Sequence, residues 1–414
     1  MGIVGLGYVG IPTALALGRK GTRIIGIDIN RKRVDMLNKR KSFIAEIPDE
    51  ELVKSLKNFK ATTDWSEIKK CTVVLITVPT PLTKNKTPDT TAIEEAGKKI
   101  ARHLKPETLV VLESTTYPGT TEELLKPILE KSGLVAGKDF YLAFAPERID
   151  PGNKKFAFHE VPKVVGGINK KSTDLAVKFY RTFIPKAFPV SNARTAEMTK
   201  LLENIFRLIN ISLVNELKML ADKMDIDFWE VIEAAKTKPY GFMPFYPGPG
   251  IGGHCIPLDP FYLSWKAREL NFFTRFIDLA GEINELMPHH VVTKVGWALN
   301  KQKKSLNGAK ILALGVAYKK DIDDPRESPA LEVLWDLKRK GAVVDYHDPY
   351  IPAVNVGGEI MESVPLSTDA LKKADCVIIL TDHSSFDYNA IAKHAKLVVD
   401  TRGAIKTKAP HIFF

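Results

Sequence analysis

Ile3-Val4-Gly5-Leu6-Gly7-Tyr8-Val9-Gly10-Ile11-Pro12 is the stretch on which the reading of this chain turns. An apolar pair runs into three glycines spaced Gly-x-Gly-x-x-Gly, and a helix-forming segment over residues 11–20 follows. Each glycine has its own task in such a strand, turn and helix. Gly5 permits the tight turn, Gly7 lets the backbone approach a pyrophosphate, and Gly10 lets the helix pack closely on the strand. The amino end of the helix, with its unpaired N–H groups, then faces the phosphates. A second strand over residues 23–27 leads to Asp28, near the offset of about 20 residues at which a carboxylate reads the adenosine ribose. Acceptance from the ribose hydroxyls favours NAD over NADP; a turn aspartate ahead of Asn30 is the plainer alternative. Only four residues precede Gly5, too few for a signal peptide and few for a first strand, so a native start upstream of Met1 stays open.

Outward from this turn the pattern repeats. Apolar runs at 72–78, 108–112 and 140–145 each end in a polar signature: Pro79-Thr80-Pro81, Glu113-Ser114-Thr115 and Pro146-Glu147-Arg148. Strands alternating with helical stretches predict an α/β fold with a doubly wound parallel sheet. Ligands gather at the carboxyl ends of such strands, which is where these motifs fall. Residues 194–224 lack Pro and Gly, and apolar positions recur along a broad face from Met198 to Ile211, predicting one long helix that joins the halves or dimerises. Residues 239–260, rich in Gly and Pro, predict a loop. From about residue 305 strands and helices alternate again, with strands expected at 310–314, 342–346, 376–380 and 397–399. The expectation is two Rossmann-like domains bracketing a helical middle.

A chain of 414 residues with 44% hydrophobic content has room for two or three domains with substantial cores. Lys and Arg outnumber Asp and Glu by 60 to 49, a formal charge of +11. That excess attracts anionic ligands, or it is a Lys-rich solvated surface. The basic residues are spread along the chain with no arginine-rich arm, so no nucleic acid partner is expected. Three cysteines, Cys71, Cys255 and Cys376, are too few and odd in number for a disulfide framework. No apolar run approaches the ~20 residues of a membrane span. No membrane partner and a cytoplasmic location are expected. His289, His290 and His347 lack the spacing of a metal site, and no metal is expected.

Two further stretches carry chemistry. In Gly248-Pro249-Gly250-Ile251-Gly252-Gly253-His254-Cys255-Ile256-Pro257-Leu258-Asp259-Pro260, a cysteine stands in a dense glycine loop. Nearby backbone amides stabilise a thiolate, and small neighbours admit a substrate, so Cys255 is a candidate nucleophile; a small residue in a tight turn is the alternative. His254 reads as a loop-structuring or substrate-contact residue before a base. Cys71 and Cys376 lie in apolar strand contexts and read as packing residues. In Glu197-Met198-Thr199-Lys200-Leu201-Leu202-Glu203-Asn204-Ile205-Phe206-Arg207, Lys200, Asn204 and Arg207 share one helix face. That face is either solvated surface or a set of donors for a developing oxyanion.

In combination, GLGYVG at 5–10, VPTP at 78–81, EST at 113–115, PER at 146–148, EMTKLLENIFR at 197–207, GPGIGGHCIPLDP at 248–260, AYK at 317–319 and RESP at 326–329 resemble the UDP-glucose/GDP-mannose dehydrogenase family. The likeness is collinear from about residue 1 to 405. It implies an NAD-binding Rossmann domain at 1–190, a central helical dimerisation domain with the Cys loop at 191–300, and a UDP-sugar-binding Rossmann-like domain at 301–414. It also implies a four-electron oxidation with two NAD: C6 of the sugar becomes an aldehyde, a thiohemiacetal on Cys255, a thioester and finally a carboxylate. By the same resemblance, Lys200 and Asn204 stabilise the C6 oxyanion, and Asp259 orients or activates water, assisted by Thr115 and Glu147. Tyr8, Val9, Asp28, Arg33, Thr80, Thr115 and Arg326 contact the cofactor. Glu147, Arg148, Lys200, Asn204, Arg207, Gly252, Gly253 and Lys319 are expected around the nucleotide sugar. A homodimer through the central helix is implied.

Pro146-Glu147-Arg148, with Pro151-Gly152, looks like the subgroup that handles UDP-N-acetylhexosamines. Lys238-Pro239-Tyr240 stands where mannosamine enzymes show His-Pro-Arg. UDP-N-acetylglucosamine is therefore the expected substrate, for glycan or surface polysaccharide precursor synthesis. UDP-N-acetylmannosamine and then UDP-glucose stand as alternatives. Outside this chemistry, a one-step hydroxyacid dehydrogenase or a non-catalytic NAD-binding protein remains open.

Overall fold

Fifteen strands form the two parallel-dominated sheets and one hairpin of this computed structural model, which describes residues 1–44, 46–83, 85–148, 156, 160–253 and 255–414. The chain divides into two compact units. The first comprises Met1–Glu203 with Phe261–Phe273, the second Asn204–Pro260 with Thr274–Phe414.

The first unit is built on β1 (Gly2–Val4), β2 (Ile24–Ile27), β3 (Phe59–Thr62), β4 (Val73–Ile76), β5 (Leu109–Leu112), β6 (Tyr141–Phe144), β7 (Lys163–Gly167) and β8 (Ala187–Pro189). Their order is β3-β2-β1-β4-β5-β6-β7-β8. The first six reproduce the dinucleotide-binding order, with the switch point between β1 and β4. Successive side chains alternate faces, and both faces are apolar. Ile3, Leu75, Val111 and Ala143 pack with Ile11, Leu15 and Tyr180 on one side. Val4, Val74, Ile76, Val110 and Leu112 pack with Ile93, Ile100 and Leu129 on the other. Burial on both faces is what continuous apolar runs in a parallel sheet require. Two strands depart from the all-parallel expectation: β7 runs antiparallel to β6, pairing Ala143 with Gly167 and Phe144 with Gly166, and β8 runs parallel to β7.

In the second unit β9 (Lys310–Leu314), β10 (Val343–His347), β13 (Cys376–Ile379), β14 (Val398–Asp400) and β15 (Ile412–Phe413) form a parallel sheet in the order β10-β9-β13-β14-β15. β11 (Ala353–Val356) and β12 (Glu359–Glu362) form the hairpin. The helix Arg275–Lys301 continues through Pro288 and buries Val291, Val295 and Leu299 against Ile311, Val333 and Leu334 of this sheet's core. The expected long helix is present as Ala193–Lys223. No helix among the described residues is long and apolar enough to cross a membrane.

The start of that long helix is fixed by a buried carboxylate. Glu197 accepts the backbone N–H of Gly119 at 2.6 Å and of Thr121 at 2.9 Å, and the Thr121 hydroxyl at 2.7 Å. Burial, opposed by these three donors, holds the Glu197 carboxyl at about 7. Between pH 4.5 and that value the folded chain keeps a proton that the unfolded chain has lost, so this group's contribution to stability falls as pH rises through the window. The loss is on the order of 3 kcal/mol. In urea titrations, the stability of the parent relative to Glu197→Gln is expected to fall by about this amount across that window. A difference independent of pH would exclude the assignment.

Candidate active site

At the switch point of the first sheet, Gly5 adopts φ +97°, and a Cβ there would lie 2.6 Å from the Thr77 carbonyl oxygen. The Thr77 hydroxyl donates back to the Gly5 carbonyl at 2.7 Å. A Cβ on Gly10 would lie 2.0 Å from the Gly5 oxygen, so the helix Gly10–Gly18 can start only from a glycine. Beside Gly7, by contrast, a Cβ would meet nothing within 4 Å, which leaves backbone open to a ligand. Asp28 follows β2 and accepts the Leu6 N–H at 2.9 Å on one oxygen and the Asn30 N–H at 2.8 Å on the other. A carboxylate has about four acceptor sites, so each Asp28 oxygen keeps capacity for a ribose hydroxyl. These features fit a bound dinucleotide. Tyr8 is exposed beside this loop and Val9 is half-buried. Arg33 is exposed, its guanidinium 5.1 Å from the Phe43 ring centroid.

The ends of β4 and β5 are stitched together. Ser114 donates to the Val78 carbonyl at 2.7 Å and Thr80 to the Thr115 carbonyl at 2.8 Å. The Tyr262 hydroxyl donates to the Thr80 carbonyl. Beyond β6, Glu147 pairs with Lys163 at 2.9 Å, and Lys163 also reaches Glu113 at 3.2 Å. Arg148 forks onto Glu203 of the long helix at 2.6 and 3.1 Å and donates to the Pro162 carbonyl at 2.7 Å. Lys200 is buried on that helix and has no ion-pair partner among the described residues. Arg207 is exposed, so the three-residue polar face expected there is buried only at its Lys200 and Asn204 end.

In the second unit the glycine loop bears Cys255, which is exposed; Cys71 and Cys376 are buried. The Cys255 carbonyl accepts the Asp259 N–H at 2.8 Å, and Asn204 donates to the Asp259 carboxylate at 2.5 Å, both side chains being buried. The loop glycines have a packing reason beyond giving access to the thiol. A Cβ on Gly252 would lie 2.6 Å from the Glu327 oxygen, and one on Gly253 2.8 Å from the Tyr318 ring. Asn215 and Asn284 accept the N–H groups of Gly248 and Ile251. His254 and residues 149–155, including Pro151-Gly152, lie outside the described residues.

The switch point of the second sheet, between β9 and β13, repeats the first in detail. Gly315 has φ +81°, and its Cβ position is 2.5 Å from the Thr381 oxygen. The Thr381 hydroxyl donates to the Ala317 carbonyl, and Gly315 N–H to the His347 carbonyl at 2.9 Å, as Gly5 N–H does to Ile27 at 2.8 Å. Asp348 stands where Asp28 does, after the second strand of its sheet. It carries twice as many donors: the Val316 and Ala317 N–H groups and buried His383 Nε2 converge on one oxygen, and the Tyr350 N–H reaches the other. His383 Nδ1 accepts the Asp321 N–H at 3.0 Å, which fixes that tautomer. Lys319 is half-buried between these two anchors, and Arg326 forks onto Asp324 at 2.6 and 2.8 Å. Glu113, Lys163, Tyr180, Glu197 and Asp348 were not singled out in sequence. Glu113, in the EST motif, and Glu197, which opens the 197–207 motif, carried a signal; the others have no local one. No cluster able to hold a metal occurs among the described residues.

Two nucleotide cradles on Rossmann-like sheets, joined through helices, define a dinucleotide-dependent oxidoreductase scaffold. Residues 1–184 match the NAD binding domain of the UDP-glucose/GDP-mannose dehydrogenase family, 194–286 its central domain and 312–407 its UDP binding domain. The chain belongs to this family of oxidoreductases, and NAD is the cofactor of its first domain. It is 36% identical to a UDP-N-acetyl-D-glucosamine 6-dehydrogenase of Pseudomonas aeruginosa, over 93% of this chain and 90% of that one. It is also 36% identical to an NDP-N-acetyl-D-galactosaminuronic acid dehydrogenase of Ralstonia solanacearum, over 98% and 96%. The solved UDP-D-ManNAc dehydrogenase of Pyrococcus horikoshii superposes with a TM-score of 0.89 at 35% identity, covering 100% of this chain and 98% of that one.

The two cradles give separable expectations. Gly10→Ala should weaken NAD binding about 5- to 150-fold, the range of an overpacking cost of 1–3 kcal/mol, and leave UDP binding unchanged. Gly315→Ala should do the reverse. Calorimetric titration of each variant with each ligand checks this; loss of both ligands together from either variant would contradict it.

Proposed function

We propose that this protein oxidises the C6 hydroxyl of a UDP-N-acetylhexosamine to the carboxylate, with UDP-N-acetylglucosamine as substrate, supplying a precursor for surface polysaccharide or glycan synthesis. The observation that carries the reading is the tie among Cys255, Asp259 and Asn204: an exposed thiol on a loop whose carbonyl holds Asp259, itself held by Asn204. Those residues come from two distant motifs.

NAD, when bound, accepts the hydride in each of two oxidations. The chain's residues do the rest. The C6 alcohol loses a hydride and a proton to become an aldehyde. The Cys255 thiolate adds to its carbon, forming a C–S bond, and Lys200 and Asn204 stabilise the resulting oxyanion. Loss of the second hydride leaves a thioester. Water then attacks that carbon, the C–S bond breaks, and the thiolate leaves as the carboxylate forms. Asp259, Thr115 and Glu147 orient the water and take its proton. Covalent capture keeps the aldehyde bound while the spent cofactor is exchanged. Tyr8, Val9, Asp28, Arg33, Thr80 and Arg326 serve the cofactor. Arg148, Arg207, Gly252, Gly253 and Lys319 serve the nucleotide sugar.

The choice of sugar rests on Pro146-Glu147-Arg148 and Lys238-Pro239-Tyr240. UDP-N-acetylmannosamine is the second reading, favoured by the likeness to the Pyrococcus enzyme. An NADH assay across UDP-glucose and the gluco, galacto and manno N-acetyl sugars separates them. Two NADH per sugar and a uronate are expected with the gluco epimer. Turnover of UDP-glucose alone would overturn the subgroup reading. Cys255→Ala should make no uronate; a normal yield would remove the covalent mechanism.

A homodimer through the long helix is part of the same proposal. Leu202, Phe206, Leu213, Leu217 and Leu220 are exposed along it at three- to seven-residue spacing, an apolar seam that a solvated helix does not carry. Light scattering should find the parent dimeric and Leu213→Glu/Leu217→Glu monomeric. A variant still dimeric would place the interface elsewhere.

A further inference from the structure

The glycine loop of Cys255 and the cradle loop of the second sheet, residues 315–329, lie against each other within the second unit. The cradle loop is fixed at its foot. Val316 and Ala317 give their N–H groups to Asp348, the Thr381 hydroxyl holds the Ala317 carbonyl, and Ile322 is buried in the sheet's core. The Asp321 N–H donates to His383 Nδ1 at 3.0 Å, and its carboxylate accepts the Ser384 N–H and hydroxyl, each at 2.7 Å. Above this foot the Tyr318 N–H donates to the Asp324 carbonyl at 3.1 Å. At the far end Ser328 caps the helix Pro329–Arg339.

The cysteine loop is fixed at its own base, where Asn215 accepts the Gly248 N–H at 2.9 Å and Asn284 the Ile251 N–H at 2.5 Å. From there toward Cys255 it leans on the cradle loop. A Cβ on Gly250 would lie 3.0 Å from Pro329. One on Gly252 would lie 2.6 Å from the Glu327 oxygen and 2.7 Å from Tyr318 Cβ, and one on Gly253 2.8 Å from the Tyr318 ring. Backbone therefore rests directly on Tyr318 and Glu327. Close-packed contacts of this kind transmit a displacement instead of absorbing it, and here it passes to the residues just before the thiol. The cradle loop also holds strained backbone. Asp321 has φ +59° and Glu327 φ +53°. Side chains other than glycine keep such left-handed values only where their surroundings impose them, and such residues gather at ligand clamps and switch segments.

We propose that the 315–329 loop transmits occupancy of the second cradle to Cys255, with Tyr318 the positioning residue, so that the thiol becomes a good nucleophile once the nucleotide end of the substrate is bound. This rests on the reading of that cradle as the UDP site and of Lys319 as a contact to it. A ligand shifts a loop toward the arrangement it binds best, and a diphosphate drawn to Lys319 favours one fixed course for the loop. Tyr318, next in the chain, then holds Gly252 and Gly253 to a single course as well. Ordered backbone amides around Cys255 stabilise its thiolate. With the cradle empty the thiol stays less ionised, which spares an exposed cysteine from oxidation between turnovers.

The test alkylates the full-length protein with iodoacetamide near neutral pH, without NAD, in the presence and absence of UDP. Peptide mass follows the adduct on Cys255, with buried Cys71 and Cys376 as internal references. Calorimetry gives each variant's affinity for UDP, so that each is saturated. UDP should accelerate alkylation of the parent about 3-fold or more, the gain in thiolate from lowering the thiol by about half a pH unit. A ligand that only covered the thiol would slow it. In Tyr318→Leu the acceleration should vanish while UDP still binds, and Tyr318→Phe, which keeps the ring, should retain it. Glu327→Gly relieves the left-handed strain and so folds readily; by slackening the loop it should also reduce the acceleration, and it decides alone should Tyr318→Leu not fold. Unchanged or slower alkylation of the parent with UDP bound would overturn the proposal. So would full acceleration in Tyr318→Leu or Glu327→Gly, or its loss in Tyr318→Phe. A parent that binds no UDP would instead bring down the reading of the second cradle.

Discussion

Everything ligand-binding in this molecule depends on one steric constraint, the close passage of a loop backbone over the end of a neighbouring strand. At Gly5 the approach to Thr77 leaves no room for a Cβ, and at Gly315 the approach to Thr381 repeats it. The threonine hydroxyl closes the contact each time, and the loop's N–H groups turn onto an aspartate after the adjacent strand. The two sheets thus arrive at the same cradle from unrelated local sequence, because a right-handed crossover at a switch point leaves only that crevice open.

The cradles differ in one chemical respect. Asp28 keeps acceptor capacity after binding two backbone N–H groups. Asp348 is committed to three N–H groups and to His383. Two donors on Asp28 leave each of its oxygens room for a ribose hydroxyl, whereas the four on Asp348 make it chiefly a brace for its own loop. The first of the two similar folds matches an NAD binding domain and the second a UDP binding domain.

Buried polar groups supply the rest of the architecture. Glu197 pins the start of the long helix to Gly119 and Thr121. Asn204, two turns further on, pins Asp259 and through it the cysteine loop. Each costs desolvation, which the hydrogen bonds it makes offset. The glycines around Cys255 follow the same economy of space: they let the loop lie flat on Tyr318 and Glu327.

Local pattern determined a great deal here. The Gly-x-Gly-x-x-Gly turn, the strands ending at Asp28, Thr80, Thr115 and Glu147, the uninterrupted helix through Lys200 and Asn204, and the glycine loop of Cys255 were all legible, because each is written in contiguous residues with a short-range physical meaning. The family likeness rests on the same contiguous motifs. Tertiary structure alone decided what contiguity cannot encode. Strand direction brought Lys163 to Glu113 and Glu147 across 50 and 16 residues of chain. Helix Arg275–Lys301 ran through Pro288 because its far half is buried against the second sheet. Pairing of Asn204 with Asp259, and of His383 with Asp348, likewise joins residues whose separate contexts say nothing of each other. Hydrogen bonds and ion pairs act over about 3 Å in space, and only the folded backbone sets which distant residues come that close.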